Sequence, residues 1–247
     1  MNYRISVVSY INTLPFIDGI TNSSFSEKID LILDYPSVCA NKLINGDVDL
    51  ALCPVVVLKS FPNFNIISDY CIGSDGYVET VCLYSNVPLK NIEKIYLDFQ
   101  SKTSVELIKI LCSQYWKISP VFINSLDQES TSINNNKTAS LVIGDRAFSF
   151  NKKYPYIYDL SYYWKKFTGS PFVFACWLSN KNLDIGFVND FNFALQDGLN
   201  HIDEIVQKRK KDFPGINLEN YLRNRISYNF DNEKKEAMRL FLQQINY

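Results

Sequence analysis

The chain has 247 residues, 47% hydrophobic and 21% charged, an ordinary globular balance with enough length for one large domain or two lobes that share a core. Its formal net charge of −1 excludes a broad basic surface for nucleic acid or anionic membrane, so an anionic ligand must be held locally by a few donors in a cleft. No stretch approaches the roughly 18 apolar residues of a membrane span, and MNYRISVVSYINTLPF lacks the basic, apolar and cleavage regions of an export signal, so the expected location is the cytoplasm.

Short apolar, β-branched runs alternate with segments of helical period, which predicts an α/β fold. Strands are expected at 5–8, 31–33, 50–53, 66–68, 81–84, 94–97, 121–123, 141–143 and 172–177, and helices at 37–45, 103–115, 161–167, 188–209 and 233–244. In the 103–115 helix, Val105, Ile108, Leu111, Cys112 and Tyr115 fall on one face, as packing on a sheet requires. The segment 127–137, ending in INNNK, reads as a helical fragment running into a loop. The apolar strands 81–84 and 172–177 resemble the two hinge strands of a class II periplasmic-binding fold. They divide the chain into a discontinuous first lobe, residues 1–86 plus 172–247, and an inserted second lobe, residues 87–171, with a ligand cleft between them.

Three strand-to-helix junctions are polar in the same way: Val7-Val8-Ser9-Tyr10-Ile11-Asn12-Thr13-Leu14-Pro15, Leu97-Asp98-Phe99-Gln100-Ser101-Lys102-Thr103-Ser104 and Val142-Ile143-Gly144-Asp145-Arg146-Ala147. Ligands of open α/β sheets bind beyond the carboxyl ends of strands, where helix N-termini offer unpaired N–H groups that suit carboxylates. A fourth polar stretch, Gly73-Ser74-Asp75-Gly76-Tyr77-Val78-Glu79-Thr80, precedes the first crossing, and its hydroxyls are placed to line the cleft. Ser, Thr and Asp at such positions are also the residues that cap helices. Arg146 reads equally as a carboxylate ligand and as a surface arginine.

Other chemistries find no support. There is no GxGxxG or GxxxxGK[ST] phosphate loop and no GxSxG elbow. The single histidine, His201, sits in a helical segment away from all four polar stretches. Six cysteines stand singly, mostly in apolar segments, which reads as buried reduced thiols rather than zinc ligands.

At SYINTLPF the chain resembles the chorismate dehydratases of the futalosine route to menaquinone, and the resemblance recurs in order through GDVDLALCP, ISDYCI with GYV, LDFQSKTSVELIKIL, IGDRAF, YDL and WKKFTGSPFVFACW. These segments cover most of residues 4–178. Thr80 stands where the family pattern has serine, Phe99-Gln100 where it has smaller residues, and the chain after Lys181 matches only as generic helices. The resemblance implies a two-lobed class II periplasmic-binding-protein-like fold and the elimination of water from chorismate, a small dicarboxylate, to give 3-[(1-carboxyvinyl)oxy]benzoate, without metal or other cofactor. It implies carboxylate clamps from Ser101, Thr103, Ser104 and the Gly144 backbone, Asn12 beside the leaving hydroxyl, and Ser9, Ser74 and Thr80 as further polar contacts. Two candidates remain for the base: Asp145 and the substrate's own enolpyruvyl carboxylate. The alternatives are a cytoplasmic solute-binding or sensor protein for a small carboxylate and the architecturally related dihydroxynaphthoate synthase.

Overall fold

The computed structural model describes residues 2–124, 137–150 and 153–245. Residues 127–136 of the expected helical fragment lie outside these. β1 (Tyr3–Val8) leads through a single tight turn, Ile11–Thr13, into α1 (Leu14–Thr21), with Pro15 in the first turn. β2 (Ile29–Asp34) follows, then α2 (Pro36–Asn45), which ends at Gly46 in the left-handed conformation. β3 (Leu50–Pro54), α3 (Val57–Ser60) and β4 (Asn65–Ser74) complete the first pass.

The chain then runs through β5 (Val81–Ser85), β6 (Lys94–Leu97) and α4 (Lys102–Ile110), which widens into a π-helical turn at Leu111–Trp116. β7 (Val121–Asn124), β8 (Thr138–Ile143), α5 (Arg146–Phe150), β9 (Tyr156–Asp159) and α6 (Leu160–Thr168) follow. β10 (Phe172–Ser179) returns, and α7 (Ile185–Asn200), α8 (Ile202–Arg209), α9 (Leu218–Asn220), β11 (Ser227–Asn229) and α10 (Asn232–Gln244) close the chain.

The strands form two mixed sheets. The first has the order β11-β4-β10-β3-β1-β2 and the second β7-β6-β8-β5-β9. β1 is parallel to β2 and β3, whereas β10 runs antiparallel between β3 and β4. In the second sheet β6 is parallel to β7 and β8, and β5 is antiparallel to β8 and β9. β3, β5 and β8 are buried along their whole length, which accounts for their unbroken apolar reading.

This topology corrects the first expected crossing. β5 pairs with β8 from Val81 opposite Ile143 to Ser85 opposite Ala139, so it belongs to the second sheet. The chain therefore crosses in residues 75–80, ahead of β5, rather than after residue 86. β10 lies in the first sheet. One carboxylate ties the two crossings together: Asp159 accepts from Val78 N and Glu79 N at 3.0 and 2.7 Å in the first, and caps α6 through Ser161 N and Tyr162 N, both at 3.1 Å, ahead of the second.

α1 and α7 cross backbone to backbone. A Cβ at Gly19 would stand 2.0 Å from the Ala194 carbonyl oxygen, and one at Gly198 would stand 1.8 Å from that of Pro15. The helix expected over 188–209 is divided at His201, whose Nδ1 donates to the Asp197 carbonyl at 2.8 Å. All six cysteines are buried and free of disulfides. Among the described residues, no helix is long and apolar enough to cross a membrane.

Candidate functional site

Loops from both sheets line a narrow cleft between them. Its first-lobe wall includes Tyr10 and Asn12 from the turn after β1, with Phe174 and Ala175 of β10. The second-lobe wall carries Ser101 and Ser104 at the start of α4 and Gly144 after β8. Thr80, the last residue of the crossing, stands between them. Carbon dominates the remaining lining, and among the described residues neither lysine nor arginine reaches it.

Each polar group has a local reason for its position. Ser101 is in extended conformation and caps α4, its Oγ accepting from Ser104 N at 3.2 Å, while the two hydroxyls lie 3.0 Å apart. The first N–H groups of an α-helix have no partner within it, so the start of α4 presents donors and a positive dipole end beside these hydroxyls. Asn12 is the middle residue of the turn after β1. Its side-chain oxygen is buried without a hydrogen-bond partner among the described residues, a condition that polar atoms in a folded interior rarely keep. Tyr228 of β11 donates its hydroxyl proton to the Asn12 carbonyl at 3.0 Å and so supports this turn from behind.

Five expected contacts do not stand as expected. Ser9 is exposed and is not among the residues lining the cleft, and its N–H donates to the Asp34 carbonyl at 2.9 Å. Ser74 is buried in β4 and bonded to Ser161 Oγ at 2.5 Å. Thr103 turns toward the first lobe, where its hydroxyl oxygen accepts from Val56 N at 3.4 Å. Gly144 lines the cleft, but its N–H donates to the Thr80 carbonyl at 2.9 Å as an extension of the β5–β8 pairing, so it is not free to clamp a carboxylate. Asp145 is off the cleft wall and accepts the Ile11 N–H at both oxygens, 3.0 and 3.2 Å. Burial pushes its carboxyl up to about 6, with the Ile11 N–H pulling in the opposite direction.

Arg146 fits neither of its two readings. It bonds the wholly buried Asp98 carboxylate at 2.5 Å and Gln100 Oε1 at 3.0 Å. Asp98 also accepts from Ile143 N and Gln100 N, both at 3.0 Å. This rigid group presents Gln100 Oε1 to Tyr10, whose hydroxyl donates to it at 2.6 Å across the cleft. Burial, followed by the nearby Asp98 charge, raises the Tyr10 phenol well above the usual tyrosine range and keeps it a neutral donor. The Tyr10 ring also lies flat against Gly144, where a Cβ would approach Cζ to 2.6 Å. Tyr10 and Gln100 were within polar segments legible in the sequence. Tyr221 and Tyr228 carried no motif, because only the tertiary fold brings the C-terminal segment to the cleft.

Among the described residues, no group of three or more His, Cys, Asp or Glu side chains is placed to hold a metal ion. The polar groups that do converge on the cleft are neutral donors and acceptors.

Solved structures share this architecture across nearly the whole chain. A protein of Archaeoglobus fulgidus is similar with a TM-score of 0.76 and 13% identity, covering 98% of this chain and 96% of that one. A Candida albicans protein with the generic periplasmic binding protein fold gives 0.65 at 10% identity, covering 100% and 92%. The periplasmic aliphatic sulphonate binding protein of Escherichia coli gives 0.64 at 14% identity, covering 98% and 85%. At these identities the likeness establishes the fold, a two-lobed periplasmic-binding-protein-like α/β architecture. The family model described as menaquinone biosynthesis matches residues 3–247, including the whole C-terminal portion where sequence motifs fail. The residues around the cleft therefore stand in a chain that belongs to the menaquinone biosynthesis family.

Proposed function

We propose that the cleft dehydrates chorismate to 3-[(1-carboxyvinyl)oxy]benzoate. The observation that carries this reading is a cleft on which hydroxyls, an amide and the start of α4 converge, in a chain of the menaquinone biosynthesis family. The same segments resemble the chorismate dehydratases.

The chemistry suits such a site. The proton to be removed is on the ring carbon that bears the enolpyruvyl ether, and the double bond to the ring carboxylate spreads the resulting negative charge onto that carboxylate. The ring electron pair then expels the neighbouring hydroxyl, which leaves as water with the abstracted proton, and the ring becomes aromatic. Aromatisation supplies driving force, so the protein's tasks are to hold the dianion and stabilise charge at one carboxylate. Ser101, Ser104 and the first turn of α4 suit the ring carboxylate, where charge develops. Asn12, with its unpartnered buried oxygen, suits the leaving hydroxyl, and Thr80 suits the enolpyruvyl side.

With Asp145 off the wall and engaged by Ile11 N–H, the favoured base is the substrate's enolpyruvyl carboxylate, which is tethered to the reacting carbon. Tyr10 is a neutral donor and is unsuited to take a proton. Turnover of chorismate, followed by loss of diene absorbance and by product mass, tests the reaction. A solute-binding role remains the second reading, favoured by the fold's likeness to the sulphonate binding protein, and binding without turnover is its signature.

A further inference from the structure

The Thr80 hydroxyl is not isolated in the cleft wall. Tyr221, in the π-helical turn Tyr221–Arg225 after α9, places its own hydroxyl oxygen 2.7 Å from Thr80 Oγ1. Tyr221 is 1% exposed, and its ring is held by the edge-to-face contact with Phe148 at 5.0 Å. Thr80 Oγ1 is the partner the described residues offer to the phenol.

Two hydroxyls that share one contact must choose a donor. If Thr80 donated, the phenol proton would be buried without an acceptor, which folded interiors avoid. If Tyr221 donates, its proton is satisfied and the Thr80 hydrogen is released. Among the described residues, the remaining acceptor near Thr80 is the Val78 carbonyl, at 3.4 Å, the long limit for a hydrogen bond. The released hydrogen is therefore available to an oxygen in the cleft that Thr80 lines. Burial raises the Tyr221 phenol above its ordinary range, so it stays protonated and remains a donor across working pH.

We propose that Tyr221 is a positioning residue: by donating to Thr80 Oγ1, it turns the Thr80 hydroxyl hydrogen toward a carboxylate or ether oxygen of the bound substrate. This rests on the reading of the cleft as a chorismate site. It gives the C-terminal segment a part in the site, alongside the support of Asn12 by Tyr228.

The test is a double-mutant cycle on the full chain, read both as chorismate affinity by calorimetry and as kcat/KM. Tyr221→Phe keeps the ring and its contact with Phe148. It is expected to weaken chorismate binding and to lower kcat/KM about tenfold, the size of one oriented hydrogen bond. In a Thr80→Val background, where the intermediary hydroxyl is gone, Tyr221→Phe is expected to have no further effect. In a Thr80→Ser background the full loss should return. Equal losses from Tyr221→Phe in all three backgrounds would overturn the positioning role and make Tyr221 a packing residue. Coupling seen in affinity with a wild type that does not turn over chorismate would support the inference while removing the dehydratase reading. A wild type that neither binds nor converts chorismate would overturn both.

Discussion

Gly144 concentrates two demands in one residue. Its backbone is left-handed, with φ of 65°, and the Tyr10 ring occupies the space a Cβ would take. Gly46 is also left-handed, with φ of 78°, but nothing stands within 4 Å of its missing side chain. The pair separates backbone strain from contact. Gly46→Ala should cost about 1 kcal/mol, the penalty for a side chain in this conformation, and leave turnover intact. Gly144→Ala should add the displacement of Tyr10, lose the bond to Gln100 and lower kcat/KM by at least about tenfold. Thermal melts with steady-state kinetics check both; equal activities in the two variants would show that the Tyr10 contact is dispensable.

Among the elements, α1 and α7 carry the next prediction. Gly198 packs against the Pro15 carbonyl, and α1 begins two residues after Asn12. Gly198→Ala should force the helices apart, destabilise the chain by about 3 kcal/mol as overpacking does, and disturb the Asn12 turn. A denaturant midpoint unchanged from wild type would contradict this close crossing. The sequence made most elements legible because the central strands are buried on both faces and the flanking helices have one apolar face. It concealed β9 and β11, four and three residues long, whose runs are too short for a period to show. It also placed β5 on the wrong side of the crossing, since an apolar strand carries no mark of which sheet it joins. At the site, Asn12, Thr80, Ser101 and Ser104 were legible as polar junction residues, and all line the cleft. Ser74 and Thr103 looked equivalent but face the interior, because which side a hydroxyl takes depends on strand register and helix rotation in the finished fold.

At the scale of the molecule, the lobes meet through Tyr10 with Gln100, Ile11 with Asp145 and Val56 with Thr103. Asp145 makes this contact sensitive to pH. Burial raises its carboxyl from 3.8 to about 6, so the folded chain holds the proton more tightly than the unfolded one. Its contribution to stability is full below about pH 4 and is lost as pH rises through about 6, a change on the order of 3 kcal/mol. Asp145→Asn keeps an acceptor for Ile11 N–H and cannot titrate. The difference in melting temperature between wild type and this variant should therefore fall between pH 4 and pH 6.5, whereas a constant difference would mean that Asp145 has an ordinary carboxyl.

The most direct measurement is incubation of the purified chain with chorismate, following the diene absorbance and the product mass. The expected result is loss of the diene with a product lighter by one water that retains the enolpyruvyl group. Chorismate recovered unchanged after incubation, whether or not it binds, would contradict the dehydratase assignment.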